Sequence, residues 1–314
     1  MTTKKNTKTA KTDNKKFDVY EMVTDRIIEQ LEQGVIPWRK PWTCQSGLAV
    51  SYSTGKPYGL INQFMLMQGG EYATYEAIQK NGGKVNKDAK AKQIVEWTML
   101  YVDEKDSNGN VIKDNDGKPI KKRVPMLKYV NVFNIEEDTT LEPKHNKAEL
   151  PKWNDDFELI EAMENIIDDY SNRVNLTINK DELSNEAYYI PAMHSVTVPS
   201  AKQFESIAEY YSTMFHELGH STGHPSLLNR EIANKKGSVK YAREELVAEI
   251  TSASVLGYNG IETTGTFKNS TAYIKSWCKR LKDDKKAIVW ASARADKAFR
   301  LIMNIEDNEQ GKTA

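Results

Sequence analysis

Residues 216–220 read His216-Glu217-Leu218-Gly219-His220, and the chain has only five histidines, three of them between 216 and 224. On a helix His216 and His220 lie one turn apart on the same face, so both imidazoles can reach one ion. Glu217 stands beside the first, where a carboxylate can hold a metal-bound water and accept its proton. A zinc peptidase makes hydroxide at neutral pH with this arrangement. The chain's own composition yields roughly 0.007 chance matches to such a motif. A solvated helix face carrying His and Glu is the competing reading.

The flanks favour a metal. Pro199-Ser200-Ala201-Lys202-Gln203 predicts a helix start, Ser200 capping and Gln203 closing a capping box. Phe204, Ile207, Ala208, Tyr211, Met214, Phe215 and Leu218 then recur at helical spacing as one buried stripe. Gly223 and Pro225 end the helix just beyond the motif.

A catalytic zinc needs a third protein ligand and an open fourth position. His224 lies four residues after His220, whereas the pattern that places a third His six residues on finds Ser226 there. The other source is Glu244-Glu245-Leu246-Val247-Ala248-Glu249, expected on a second helix that starts near Ser238–Tyr241 and stops at Gly257. Glu245 and Glu249 share one face, while Leu246, Val247 and Ile250 supply the buried side. We assign Glu245 as the third ligand and Glu249 as the carboxylate that orients a ligand histidine; a solvated acidic face is the competing reading. The implied ion is Zn2+, with Mn2+ as an alternative divalent metal.

Short strands are expected upstream. Val174, Leu176 and Ile178 alternate with polar residues, as does Ser195-Val196-Thr197-Val198, and Ala187–Pro191 is a further apolar run. A small sheet followed by two ligand-bearing helices is the zincin arrangement, and the fold class is α+β. An edge strand in the 188–198 region would pair with substrate backbone. His194 and Tyr241 are candidates to polarise a scissile carbonyl, against purely structural roles. His145 falls in a linker-like stretch and receives no role.

Lys plus Arg and Asp plus Glu both number 44, so net charge names no partner. The halves differ: residues 1–150 carry 24 basic and 20 acidic side chains, residues 151–314 the reverse. We divide the chain into a Lys-rich tail (1–16) expected to be disordered, a first domain (17–137), a linker (138–153), a second domain (154–305) and a tail (306–314). No apolar stretch follows the basic start as a signal peptide requires, and no run approaches a membrane span. Cys44 and Cys278 lie in different domains, so no disulfide framework is indicated and a reducing cytoplasm is expected. No internal repeat is read.

In the first domain, residues 17–33 form an amphipathic helix stopped by Gly34, Leu60–Met67 starts a second, and 93–102 and 124–135 read as strands. Between the strands lies a polar hairpin insertion with turn signals at Asn108-Gly109-Asn110 and Asp116-Gly117. Residues 271–282 and 285–305 are expected as closing helices. Trp38, Arg39, Lys40, Trp42, Tyr52, Lys56 and Tyr58 suit single-stranded DNA, since bases stack on aromatic rings while cations meet phosphates. Buried core aromatics are the competing reading.

The run Tyr210–His224, with Asn229-Arg230 and Tyr241–Glu249, resembles the ArdC-type antirestriction proteins and the metallopeptidase domains of the polyvalent proteins of plasmids and phages. Gln33–Trp42, Thr54–Asn62 and Tyr129–Asn134 match in the expected order. The resemblance implies a first domain that binds single-stranded DNA, a zincin-like second domain, and protection of entering DNA from host restriction, with restriction proteins or another protein as substrate. It departs at Ser221, where the family commonly has an aromatic, a change expected at the pocket rim. It departs also at 103–123, which is enlarged. The alternatives are a DNA-coating module with a purely structural metal, or a cytoplasmic metallopeptidase whose first domain recruits protein substrates.

Overall fold

A computed structural model describes residues 17–38, 47–145, 160–181, 184–232, 238–261 and 271–305. The first half opens with α1 (Val19–Glu32), which Asp18 caps by accepting the Tyr20 N–H at 2.8 Å. Its Val23, Ile27, Ile28 and Leu31 recur every three to four residues and are buried. β1 (Ala49–Ser51), α2 (Leu60–Leu66), β2 (Gly70–Ala73), α3 (Tyr75–Lys80), β3 (Lys92–Asp103), β4 (Lys121–Asn134) and α4 (Ile135–Asp138) follow. The four strands form one sheet in the order β1-β2-β4-β3. Two buried amides of α2 act as an extra strand neighbour. Asn62 exchanges 2.8 Å hydrogen bonds with the backbone N–H and carbonyl of Val95, and Gln63 does the same with Ala49 at 2.9 and 3.0 Å. These bonds fix the helix against both sheet edges.

β3 and β4 pair along their whole length, from Lys92 opposite Val132 to Asp103 opposite Lys121. Only the base of this ribbon is buried, through Ile94, Val95 and Leu127; the distal part carries exposed Trp97, Met99 and Tyr101 on one face. Its tip corrects the reading that the chain has no repeat. Asp106–Lys113 and Asp114–Lys121 are tandem eight-residue units sharing Asp, Gly, Ile and Lys in register. Each unit's Asp accepts two backbone N–H bonds inside its own turn. The two units close on the strand before them: Ile112 N–H donates to Glu104, Ile120 to Ile112 and Glu104 to Ile120, at 2.7–2.9 Å.

The second half contains α5 (Glu161–Val174), β5 (Thr177–Asp181), β6 (Tyr188–Ile190), β7 (Ser195–Pro199), α6 (Ile207–Ser221), α7 (Val239–Tyr258), α8 (Thr271–Asp283) and α9 (Ala287–Ile302). Its sheet runs β5-β7-β6, with β7 central, so only 188–190 of the expected substrate-pairing region is an edge. Val174, read as strand, instead ends α5, whose Met163, Ile167 and Tyr170 are buried. No helix among the described residues is long and apolar enough to cross a membrane. Cys278 is buried and free; Cys44 lies outside the described residues.

One core joins the halves. Residues of α1, α2 and the ribbon base pack with Leu246, Val247 and Ile250 of α7, Trp277 and Leu281 of α8, and Ile288 and Ala291 of α9. Trp38 lies at the centre of this junction, 0% exposed, its ring edge-on to Trp277 at 5.9 Å. Thr24 also donates to the Lys285 carbonyl at 2.7 Å, and Lys285 pairs with Asp25. Trp38→Ala is expected to destabilise the protein by about 3–5 kcal/mol, the usual range for a buried Trp. Urea unfolding should show a lower midpoint with an unchanged slope. A midpoint shift below that of an ordinary surface substitution would place Trp38 outside the core.

Candidate metal centre

The capping box at Ser200 and Gln203 forms, but it closes a 3-10 turn (Ala201–Gln203); α6 starts at Ile207, where Ser206 accepts the Glu209 N–H at 3.1 Å. The earlier start is corrected because Phe204 is extended. α7 begins at the expected place, with Ser238 accepting the Tyr241 N–H. The two helices meet at Gly219. A Cβ there would lie 3.1 Å from the Ala248 Cα, and beside it Ser252 donates to the Ser212 carbonyl at 2.7 Å. Small residues on both sides permit this approach.

The approach brings the second turn of α7 over the histidines. His216 Nε2 and His220 Nε2 are 3.2 Å apart. Glu245 Oε1 is 3.5 Å from His220 Nε2, and Glu245 Oε2 is 3.8 Å from His216 Nε2. The three donor groups lie within 4.8 Å of one another. Ligand atoms held about 2.0–2.1 Å from a tetrahedral ion sit about 3.3 Å apart, so this donor set fits a zinc-sized divalent cation. Three protein ligands leave one position open.

Behind each histidine stands a carboxylate. Glu249 Oε2 is 3.8 Å from His216 Nδ1, while its Oε1 accepts the Tyr273 hydroxyl at 2.6 Å. Glu244 Oε1 is 3.4 Å from His220 Nδ1. Arg230 grips Glu244 with both arms, Nε to Oε2 at 3.0 Å and Nη2 to Oε1 at 2.7 Å, and also donates to the Gly219 carbonyl and Thr222 Oγ1. Arg230 and Glu244 are almost fully buried, and this satisfied network offsets their desolvation. The sequence reading gave Glu249 this orienting role and missed that Glu244 fills it for His220. The available signal was Arg230, the first cation after the histidine motif and ahead of an acidic helix.

Burial pushes the His220 pKa down, but hydrogen bonds to the Glu244 and Glu245 carboxylates outweigh it and raise it to about 9. Burial pushes Glu245 up, but His220 and His216 bring it down to about 2, with Tyr241 also hydrogen-bonded to it. Glu217 is buried and close enough to act electrostatically on His220 and Tyr241. His224 turns away: its Nδ1 bonds Ser226 and its ring stacks on His194 at 4.2 Å. His194 bonds the Tyr189 hydroxyl and the Val174 carbonyl, a structural role. Ser221 is not at a pocket rim; it is fully buried against the Tyr170 hydroxyl at 2.9 Å.

The described aromatic residues of the expected DNA cluster are buried or half-buried rather than set on an open face. Trp38 is core, Tyr52 is buried, and Tyr58 is half-buried with its hydroxyl directed at the Tyr72 carbonyl. Lys56 is exposed, while Arg39, Lys40 and Trp42 lie outside the described residues.

Fold and site together define a zincin-like metallopeptidase domain carrying a His-His-Glu metal site. Residues 163–294 match the zincin-like metallopeptidase family, and residues 17–133 match the N-terminal domain of anti-restriction factor ArdC. The metal-free crystal structure of antirestriction protein ArdC from plasmid R388 superposes with a TM-score of 0.70 at 30% identity, covering 92% of this chain and 98% of that one. Its Mn(II)-bound structure gives 0.69 at 28%, covering 94% and 100%. The chain belongs to the ArdC-type antirestriction proteins. It is also 34% identical over 302 residues to a DNA primase TraC of Escherichia coli, covering 92% of this chain but only 20% of the primase. A second E. coli TraC, also 34% identical, is covered over 27% of its length, so the chain spans about a fifth to a quarter of these relatives. The uncharacterized protein y4eC of Sinorhizobium fredii is 27% identical over 289 residues, 88% of this chain and 89% of that protein.

Arg230→Met should leave all three ligands in place yet weaken metal binding about 10–100-fold, because Glu244 loses its anchor. It should also destabilise the fold by about 3–5 kcal/mol through the buried carboxylate left unpaired. Unchanged metal affinity by competition with a chelating dye would remove Arg230 from the site's support.

In the metal-free protein, His220's raised pKa contributes stability that is complete below its ordinary 6.5 and lost as pH rises through about 9. Glu245's lowered pKa contributes stability present above its ordinary 4.5 and lost as pH falls toward about 2. The contribution of this pair should therefore be greatest between pH 4.5 and 6.5. Metal loading at neutral pH should expel about one proton, read by calorimetry in two buffers of different ionisation enthalpy. Buffer-independent heats would contradict a protonated His220.

Proposed function

We propose that the chain is the antirestriction factor of a plasmid or phage, acting in the cytoplasm, where it binds single-stranded DNA during entry and cleaves a protein through a zinc-dependent site. A host restriction protein is the substrate class that fits this role. The carrying observation is buried Glu217 beside a three-ligand site whose fourth position is open. A structural metal has no use for a base there, and its four positions would be filled by protein.

When bound, the metal supplies Lewis acidity that lowers the pKa of a coordinated water to about 7. Glu217 takes a proton at its carboxylate and later gives it to the leaving amine nitrogen. Its burial keeps bulk water from competing for that proton. Glu244 with Arg230, and Glu249 with Tyr273, hold the two imidazoles at fixed angles so that neither Nε2 turns away. Tyr241, bonded to Glu245, steadies the third ligand. Substrate backbone pairs with β6, an edge strand of the small sheet.

For DNA, the ribbon supplies what the buried tryptophan does not. Trp97 and Tyr101 are 53% and 64% exposed and share one face with Arg123 and Lys121. Arg123 lies 5.9 Å over the Tyr101 ring. Aromatic faces beside cations favour unpaired bases over duplex.

Glu217→Gln should retain the fold and stoichiometric metal while losing peptidase activity at least about a hundredfold, the scale of general-base assistance. Wild-type cleavage by that variant would end the hydrolytic reading. Trp97→Ala with Tyr101→Ala should weaken oligothymidylate binding by about 1–3 kcal/mol per stacked base, with circular dichroism unchanged. Equal affinity for duplex and single strand would exclude the stacking interface.

A further inference from the structure

We infer that single-stranded DNA does not stop at the ribbon but continues over Tyr20 and Lys286 onto the exposed face of α9, placing a phosphate in an arginine-lined cavity beside the metal centre. This rests on the DNA reading above and extends the path into the metallopeptidase domain.

The contacts form an unbroken series. Trp97 of the ribbon meets Tyr20 of α1 edge-on at 6.5 Å. The Lys286 ammonium stands 5.3 Å from the centre of the same Tyr20 ring. From Lys286 the side chains of Trp290, Arg294 and Lys297 follow at helical spacing, four, four and three residues apart, along about 17 Å of α9. Cations thus recur along one line beyond the exposed rings of the ribbon, as the backbone of a polyanion requires. Neighbouring acids are already matched: Lys285 pairs with Asp25 and Glu21, Arg243 with Asp284, and Lys240 with Glu231. Lys286, Lys297 and Arg123 have no carboxylate at ion-pair distance among the described residues.

The line ends at a cavity of about 540 Å³ bordered by Arg230, Arg243, Trp290, Arg294 and Lys297, with one carboxylate, Glu231, on its lining already paired with Lys240. Arg294 stacks on Trp290 at 3.7 Å and Arg243 approaches the same ring at 5.5 Å, so guanidinium groups rather than the indole face the ligand. Arg230 and Arg243 are already paired with Glu244 and Asp284, whereas Arg294 has no carboxylate at ion-pair distance among the described residues. Burial, and then Arg230 and Arg243, lower the Arg294 pKa from its usual range, and a phosphate beside Arg294 and Lys297 favours its charged form. The cavity shares Arg230 with the metal centre, so a strand held there lies one side chain from the support of His220. An acidic peptide would satisfy the cavity alone; it would not account for the aromatic and cationic line leading into it.

The test uses the full chain, fluorescent oligothymidylates of two lengths and a range of salt. Lys286→Gln with Lys297→Gln changes two exposed side chains and should fold normally, as circular dichroism would verify. The slope of log affinity against log salt should fall by about 1.4, from two lost phosphate contacts at about 0.7 each. The longer oligonucleotide should also lose its advantage over the shorter one. An unchanged slope and length dependence, with binding still weakened by Trp97→Ala and Tyr101→Ala, would confine DNA to the ribbon and overturn the inference. So would displacement of the oligonucleotide by polyglutamate in the wild type but not in the double lysine variant, which would assign the cavity to acidic protein. Inorganic phosphate competing as strongly as the oligonucleotide would reduce it to a free-anion pocket. A wild-type chain that bound no oligothymidylate would sink the DNA reading itself, an outcome distinct from the other three.

Discussion

The close approach of α6 and α7 at Gly219 governs the rest of the site. A Cβ here would stand 3.1 Å from the Ala248 Cα, so even alanine requires the two backbones to give by a few tenths of an ångström, and a larger side chain by more. Glu245 reaches the two Nε2 atoms across 3.5 and 3.8 Å, and any separation of the helices draws the carboxylate away from them. Arg230 reinforces the contact by donating to the carbonyl of Gly219 itself while holding Glu244 on the opposite helix. The same few atoms therefore set helix spacing, ligand geometry and the orientation of His220. Packing and chemistry are not separable here: the buried ion pair is tolerable because each polar atom is satisfied, and it is satisfied only at this spacing.

The core places a second constraint on the molecule. Trp38, far in sequence from Trp277, packs against it, and α1 is fastened to α8 and α9 by apolar contacts and by ion pairs such as Lys282 with Glu32. The N-terminal sheet and the metal-bearing helices are thus built on one shared layer rather than hung on a linker. α9 belongs to both: its inner face packs with α7 and α1, and its outer face carries Lys286, Trp290 and Arg294.

Much of this was legible in the sequence where a local rule sufficed. Ser238 marked the start of α7, the i, i+4 spacing placed His216 with His220, and ligand chemistry selected Glu245 over His224. What failed depended on partners remote along the chain. Trp38 beside two cations reads equally as a stacking platform or as core, and Trp277 decides it. Glu244 lies about 100° around the helix from Glu245, so periodicity points it away from the site; only Arg230, reaching in from the preceding loop, turns it into a support for His220. α5 escaped notice because its apolar residues are few and its end, Val174, sits just before a genuine strand. Ser221 was read against an expectation of aromaticity, whereas the ring next to it comes from Tyr170 of another helix. Trp97 and Tyr101 were seen as strand residues with no hint that the strand outruns the domain beneath it.

The tandem units at the ribbon tip bear on how this surface varies through descent. Eight is an even number, so gain or loss of one unit leaves every side chain of β3 and β4 on its original face. Removing one unit would let Glu104 and the remaining Ile pair as the ends of an ordinary hairpin. Adding a third would break the closed ring of hydrogen bonds among Glu104, Ile112 and Ile120 and expose unpaired backbone. Genetic slippage can thus shorten the tip freely but meets a ceiling at the present length, and reach toward a partner would change in whole steps rather than residue by residue.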